Sequence, residues 1–247
     1  MSTLLIDMGN NFLKWGITTH DGDLSQFHSF PVAAMSEKSW AGCEKPDSIY
    51  VSSVSTTDHK QNLIRHLESK WQITPEFITS PVAGLGITNA YSDASRLGSD
   101  RWAAMVAAFH VTQSAVLVVD AGTALTIDAI DDQGQHLGGL IFPGMNLSRN
   151  LLASGTQIDF DLKDIPSRHS EFFGNSTEKG IISGTLQASG SLIDRAYGEL
   201  TAINKKVEPV CYLTGGDAEQ IKDTLQCSYV FEPALVLKGL ALIAAAP

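Results

Sequence analysis

Leu4-Leu5-Ile6-Asp7-Met8-Gly9-Asn10-Asn11 and Leu117-Val118-Val119-Asp120-Ala121-Gly122-Thr123-Ala124 are the same phrase written twice, 113 positions apart. In each, an apolar run ends in Asp-x-Gly and a small polar residue, and a second apolar stretch follows, Phe12 to Thr18 in one copy and Leu125 to Ile130 in the other. Turn signals close these stretches at Asp21-Gly22 and Asp132-Gln133-Gly134. Each copy therefore reads as a β-hairpin, and the repeat divides the chain into two related α/β domains. We place them at 1–112 and 113–247.

Helical periods surround the hairpins. Leu63, Ile64, Leu67 and Trp71 share one face, and Trp102, Met105, Val106 and Phe109 another. Ile182, Leu186, Ser189, Ile193, Ala196, Tyr197 and Leu200 describe a long helix. Gly184 and Gly190 lie inside it, where glycine costs about 1 kcal/mol relative to alanine, so a ligand or another backbone is expected close by.

Composition narrows the function. Seventeen Lys+Arg against 27 Asp+Glu give a formal charge of −10 in 247 residues, with no basic cluster, which opposes nucleic-acid binding. The three cysteines, Cys43, Cys211 and Cys227, form neither a disulfide framework nor a metal spacing and suit a reducing cytoplasm. The N-terminal apolar run meets Asp7 too early for a signal peptide, and the apolar stretch from Ala234 to Ala246 is too short to span a bilayer, so no membrane association is expected. Walker A, G-x-G-x-x-G and G-x-S-x-G patterns are absent.

The chemistry lies in the duplicated turns. A carboxylate at a strand tip beside a glycine lets the backbone approach a phosphate, and Asp7 and Asp120 are expected to face each other across a cleft. Asn10, Asn11, Thr123 and Thr126 offer donors to phosphate oxygens and Lys14 a charge. Thr214-Gly215-Gly216-Asp217, between the apolar run Val210 to Leu213 and a helix-like Ala218 to Leu225, reads either as a nucleotide contact at a helix N-terminus or as an ordinary turn capped by Asp217. Gly98-Ser99-Asp100-Arg101 opens a helix, with Ser99 or Asp100 serving as its cap or Asp100 accepting a proton from a substrate hydroxyl. Ser176-Thr177-Glu178 is a capping sequence or a substrate contact, and Gly138 to Gly144 is a strand closed by a Pro-Gly turn whose glycines either make that turn or leave room beside a ligand.

In order and spacing, Asp7-Met8-Gly9-Asn10, Gly98 to Arg101, Asp120 to Ala124, Gly138 to Gly144, Thr177 and Thr214-Gly215-Gly216 resemble the signature of type III pantothenate kinases. That family belongs to the acetate and sugar kinase/Hsp70/actin superfamily, so the resemblance implies two duplicated RNase H-like, actin-like ATPase domains with mixed sheets flanked by helices. It implies transfer of phosphate from ATP, with Mg²⁺, to pantothenate in the first step of coenzyme A synthesis. Asp7, Met8, Gly9, Asn10, Asn11, Phe12, Leu13, Lys14, Thr123, Gly215 and Gly216 would then bind ATP, and Asp120 a monovalent cation, K⁺ or NH₄⁺. Tyr91, Gly98, Ser99, Asp100, Arg101 and Thr177 would contact pantothenate, with Asp100 as the proton acceptor. A homodimer whose partner subunit completes the pantothenate pocket is also implied.

Two departures stand out. Asn11 replaces the Thr or Ser of many relatives, and Asp93-Ala94 replace an Asn-Pro after Tyr91, from which we expect a less rigid loop there. The alternatives are a kinase of the same superfamily acting on another small hydroxyl, such as a sugar, and a non-catalytic transcriptional regulator resembling Bvg accessory factors.

Overall fold

A computed structural model describes residues 2–18, 24–155, 171–205 and 207–246. The chain divides into two compact units, residues 1–113 with 234–247, and residues 114–233. The last helix thus belongs to the first unit, and not to the second half in which the sequence reading put it.

In the first unit, β1 (Thr3–Met8) pairs antiparallel with β2 (Phe12–Thr18), which pairs with β3 (Leu24–Pro31). On its other side β1 runs parallel to β4 (Ser48–Ser53), and β4 to β5 (Glu76–Phe77), giving the order β3-β2-β1-β4-β5. A small hairpin, β6 (Ala83–Gly84) with β7 (Ile87–Thr88), stands apart. Alternation decides the faces. Leu4, Ile6 and Met8 join Leu63, Leu67 and Trp71 of α1 (Thr57–Trp71) in one core. Leu5 and Asp7 point the other way, toward the side on which α2 (Ser99–Thr112) and α6 (Leu235–Ala245) meet the sheet. The turn expected at Asp21-Gly22 lies outside the described residues.

The second unit repeats this plan. Here β8 (Val116–Ala121) pairs antiparallel with β9 (Ala124–Ile130), and β9 with β10 (His136–Pro143). Parallel β11 (Val210–Thr214) and β12 (Tyr229–Phe231) complete the order β10-β9-β8-β11-β12. Leu117, Val119 and Ala121, the repeat equivalents of Leu4, Ile6 and Met8, pack on α4 (Thr177–Ile203). Between the sheet's two halves run α3 (Met145–Gly155) and α4, and α5 (Ala218–Ile221) follows β11. Asp131 Oδ1 accepts from the Gln133 and Gln135 amides at 2.9 and 2.8 Å, which closes the expected turn before β10.

Helix α2 is buried from Arg101 through Phe109, on nearly every face, because α6 covers the side that the sheet leaves open. Gly239 permits the approach: a Cβ there would collide with the Ala103 backbone. On α4, a Cβ at Gly190 would strike Thr224, so the expected close contact is real, whereas Gly184 meets nothing and borders a hollow. Among the described residues no helix is long and apolar enough to cross a membrane.

Candidate active site

Each unit presents a row of three side chains on one sheet face, built around its repeated aspartate. In the first, Asp7 stands opposite Lys14 on β2 and Ser52 on β4. In the second, Asp120 stands opposite Thr126 on β9 and Thr214 on β11. Directly paired residues share a face, so each carboxylate is flanked by a polar group on both sides. The turns differ by one residue. Gly9 N–H donates to Phe12 C=O at 3.0 Å in the first, whereas Gly122 N–H donates to Ala124 C=O at 3.0 Å in the second. Lys14 is therefore the counterpart of Thr126, and the second unit carries no cation at that place.

Around the first turn, Asn10, Asn11 and Phe12 are exposed and Lys14 is half-buried. Met8 and Leu13 have no exposed side-chain surface and fill the core. Their only means of meeting a phosphate is the backbone. Asn11 C=O accepts from Val32 N–H at 2.9 Å, which ties the turn to the end of β3.

Helix α2 carries the proposed acceptor-side residues. Its N-cap is Gly98, without a side-chain cap bond, so neither Ser99 nor Asp100 is the cap that the sequence offered. Both lie in the first turn. Ser99 Oγ is 3.0 Å from Ser52 Oγ and accepts from Ser53 N–H at 3.1 Å. Asp100 Oδ1 accepts from Arg101 N–H at 2.8 Å, and the buried Arg101 donates from Nη1 to Tyr91 Oη at 2.9 Å while its guanidinium lies 5.7 Å from the Tyr91 ring centre. Tyr91, Gly98, Ser99, Asp100 and Arg101 are thus one cluster in the first unit. The loop carrying Tyr91 is hydrogen-bonded despite Asp93-Ala94. Buried Asn89 accepts from Tyr91 N–H at 2.9 Å and donates to Pro81 C=O at 3.1 Å, and Asp93 Oδ1 accepts from Ser95 N–H and Oγ at 3.2 and 2.6 Å.

In the second unit, the Asp120 turn is hemmed in by two glycines. Gly144 N–H donates to Thr123 C=O at 3.1 Å, and a Cβ on Gly144 would overlap that backbone. Gly215 has φ +100°, and a Cβ on it would overlap Ala121 C=O and the Asp120 carboxylate. Asp217 N–H donates to Ala121 C=O at 2.8 Å. Asp217 precedes α5 but makes no side-chain cap bond, and α5 has only four residues, so the site owes little to a helix dipole. Close packing of Gly215 on Asp120 is what this element contributes.

Thr177 is the first residue of α4, after Ser176, whose Oγ accepts from Lys179 N–H at 3.3 Å as the N-cap. It belongs to the second unit and lines a hollow of about 370 Å³ with Phe142, Ser148, Leu152, Ile181 and Gly184. The sequence reading missed Arg149. Its guanidinium is buried, with Nε donating to Thr185 Oγ1 at 3.2 Å. Burial pulls it below its ordinary value, opposed by Asp217, while burial pushes the Asp217 carboxyl above the usual range, opposed by Arg149. The one signal for it was a lone arginine within Met145 to Leu152.

Two units of one strand order, each with an acidic glycine turn, define a duplicated actin-like ATPase fold. By fold alone, the chain is similar to a Campylobacter jejuni protein assigned to the Baf family of transcriptional activators (20% identity, TM-score 0.59, covering 97% of this chain and 96% of that one). It is also similar to the activator of 2-hydroxyisocaproyl-CoA dehydratase from Clostridium difficile with bound ADPNP (14% identity, TM-score 0.53, covering 99% and 94%). The chain belongs to the type III pantothenate kinase family, whose model matches residues 3–199. A relative from Nitrosospira multiformis, named type III pantothenate kinase, is 36% identical over 248 residues, covering 98% of this chain and 90% of its own.

Proposed function

We propose that this chain transfers the γ-phosphoryl group of ATP, with Mg²⁺, to the primary hydroxyl of pantothenate, the first step of coenzyme A synthesis. The observation that carries the reading is the cluster at the start of α2, where Asp100, Arg101 and Tyr91 come together in a chain of this family. Asp100 accepts the proton of the attacking hydroxyl. Arg101, held by Tyr91, binds an oxygen of the substrate. Phosphoryl transfer asks the protein mainly for positioning and charge stabilisation. Asp7 through Lys14, with Thr123, Gly215 and Gly216, bind the nucleotide, and the exposed Asn10 and Asn11 reach phosphate through side-chain amides where a hydroxyl is lacking. Since this chemistry fits family and cluster together, another hydroxyl substrate and a purely regulatory role are the weaker readings.

Asp120 holds a monovalent cation, K⁺ or NH₄⁺. Support comes from Thr214, whose buried Oγ1 has no hydrogen-bond partner among the described residues and which stands in register with Asp120. An orphaned oxygen beside a carboxylate suits a cation that lacks only ligands. We also infer a homodimer in which Thr177 completes the partner's pantothenate pocket. Ile141, Leu147 and Leu151 on β10 and α3 are 64, 40 and 55% exposed, an apolar surface suited to a second copy.

A coupled assay of ATP consumption tests the reaction. Turnover should require pantothenate and Mg²⁺ and rise with K⁺. ATP consumption indifferent to pantothenate would reject the assignment.

A further inference from the structure

Ser52 has no exposed surface and lies inside the first unit's sheet, where its neighbours Ile49 and Val51 are core residues. A hydroxyl buried there without a partner costs about 1–3 kcal/mol. Ser52 avoids that cost through Ser99 Oγ, 3.0 Å away in the first turn of α2. The adjacent Ser53 N–H donates to the same Ser99 oxygen at 3.1 Å. On the other side of Gly98, buried Ser80 donates from Oγ to Leu97 C=O at 2.9 Å. The backbone entering α2 is therefore held from both sides. Ser52 is also the β4 residue directly opposite Asp7. One buried hydroxyl thus joins the strand beside the phosphate turn to the helix turn that carries Asp100.

We propose that Ser52 is a positioning residue for phosphoryl transfer: it seats the first turn of α2 so that Asp100 is correctly placed relative to the Asp7 turn. This rests on Asp100 being the proton acceptor. Ser52 touches neither substrate in this scheme and acts only through Ser99 and its neighbour. A displacement of about 1 Å at a reacting group costs up to ~10²-fold in rate, so loss of this bond should appear in turnover before it appears in nucleotide affinity.

The experiment is a double-mutant cycle with Asp100→Asn, read in kcat and in KM for ATP. Ser52→Ala in the otherwise intact protein should lower kcat for pantothenate about tenfold and leave KM for ATP within about a factor of two. In the Asp100→Asn background the same change should lower kcat by less than about twofold, because the group it positions has lost its function. A full tenfold loss in both backgrounds, or normal turnover in Ser52→Ala, overturns the proposal. Should Ser52→Ala fail to fold, Ser52→Cys, slightly larger and with a weaker donor, enters the same cycle. Near-normal turnover in Asp100→Asn alone would instead remove the underlying assignment, a separate and recognisable result.

Discussion

Arg101 Nη1 donates to Tyr91 Oη at 2.9 Å, and the arginine is buried although it lies in the first turn of a helix. A buried guanidinium has five donors in a fixed fork, and the phenol both satisfies one of them and fixes the plane of the rest. Tyr91→Phe removes that acceptor and keeps the ring beneath the cation. Hydrogen bonds to charged groups contribute about 1.5–3 kcal/mol, so KM for pantothenate should rise roughly tenfold or more. KM for ATP should stay nearly unchanged. Steady-state kinetics with each substrate varied checks the split, and equal effects on both would mean that the pair does not serve the acceptor side.

Asp100 is a first-turn residue of α2 whose Oδ1 accepts from Arg101 N–H at 2.8 Å. A positioned general base contributes typically ~10²–10⁴-fold. Asp100→Asn keeps size and hydrogen-bonding ability but cannot take a proton at neutral pH, so kcat should drop by about that factor while nucleotide binding persists. Calorimetric titration with an ATP analogue, beside single-turnover kinetics, measures the two separately.

Much of this was legible because the repeat carries its own proof. Leu4, Ile6 and Met8 recur as Leu117, Val119 and Ala121, and each triplet packs on a helix of its own unit, α1 in the first and α4 in the second. The repeat put Asp7 and Asp120 at the ends of their strands, and in the structure period-two alternation turns both away from these triplets. What stayed hidden depended on distant partners. The uniformly apolar stretch from Leu235 to Ala245 says that it is buried but not against what, and only the fit of Gly239 on Ala103 assigns it to the first unit. Ser52 is an unremarkable serine until Ser99 meets it 47 positions later. Helix α3 escaped notice because its Leu147, Leu151 and Leu152 are exposed, leaving Met145 and Arg149 as the buried side chains among those described. Helix α5 was expected to run to Leu225 but stops at Ile221, where a tighter turn takes over.

Stability at high pH should depend on Tyr197. Burial, then a hydrogen bond to Glu208 at 3.0 Å, push its phenol from 10.0 up to about 12. Between those values the folded protein keeps a proton that the unfolded chain has released. Stability from this group is complete below pH 10 and is lost as pH rises through 12. Tyr197→Phe should be less stable than the parent near neutrality, since it forfeits the bonds to Glu208 and to Pro209 C=O at 2.9 Å. The deficit should narrow between pH 10 and 12. Urea unfolding at a series of pH values measures it, and a constant gap would mean that the phenol titrates alike in both states.

Gly215 and Gly216 are neighbours with opposite expectations. At Gly215 φ is +100°, which side chains rarely adopt, and the added methyl would meet Ala121 C=O and the Asp120 carboxylate. Neither obstacle is the end of a flexible chain, since one is backbone and the other is fixed at the strand tip. Gly215→Ala should therefore cost well over the ~1 kcal/mol that relieved backbone freedom can return, and it should displace the very carboxylate proposed to hold the cation. Gly216 lies outside the left-handed region and has open space where its Cβ would go, so alanine there should leave folding stability within about 0.5 kcal/mol. Denaturant unfolding of the two variants checks the first contrast. Their K⁺ response checks the second: Gly215→Ala should need more K⁺ for half-maximal turnover, as Asp120→Ala should, and an unaltered K⁺ requirement in both would place the cation elsewhere.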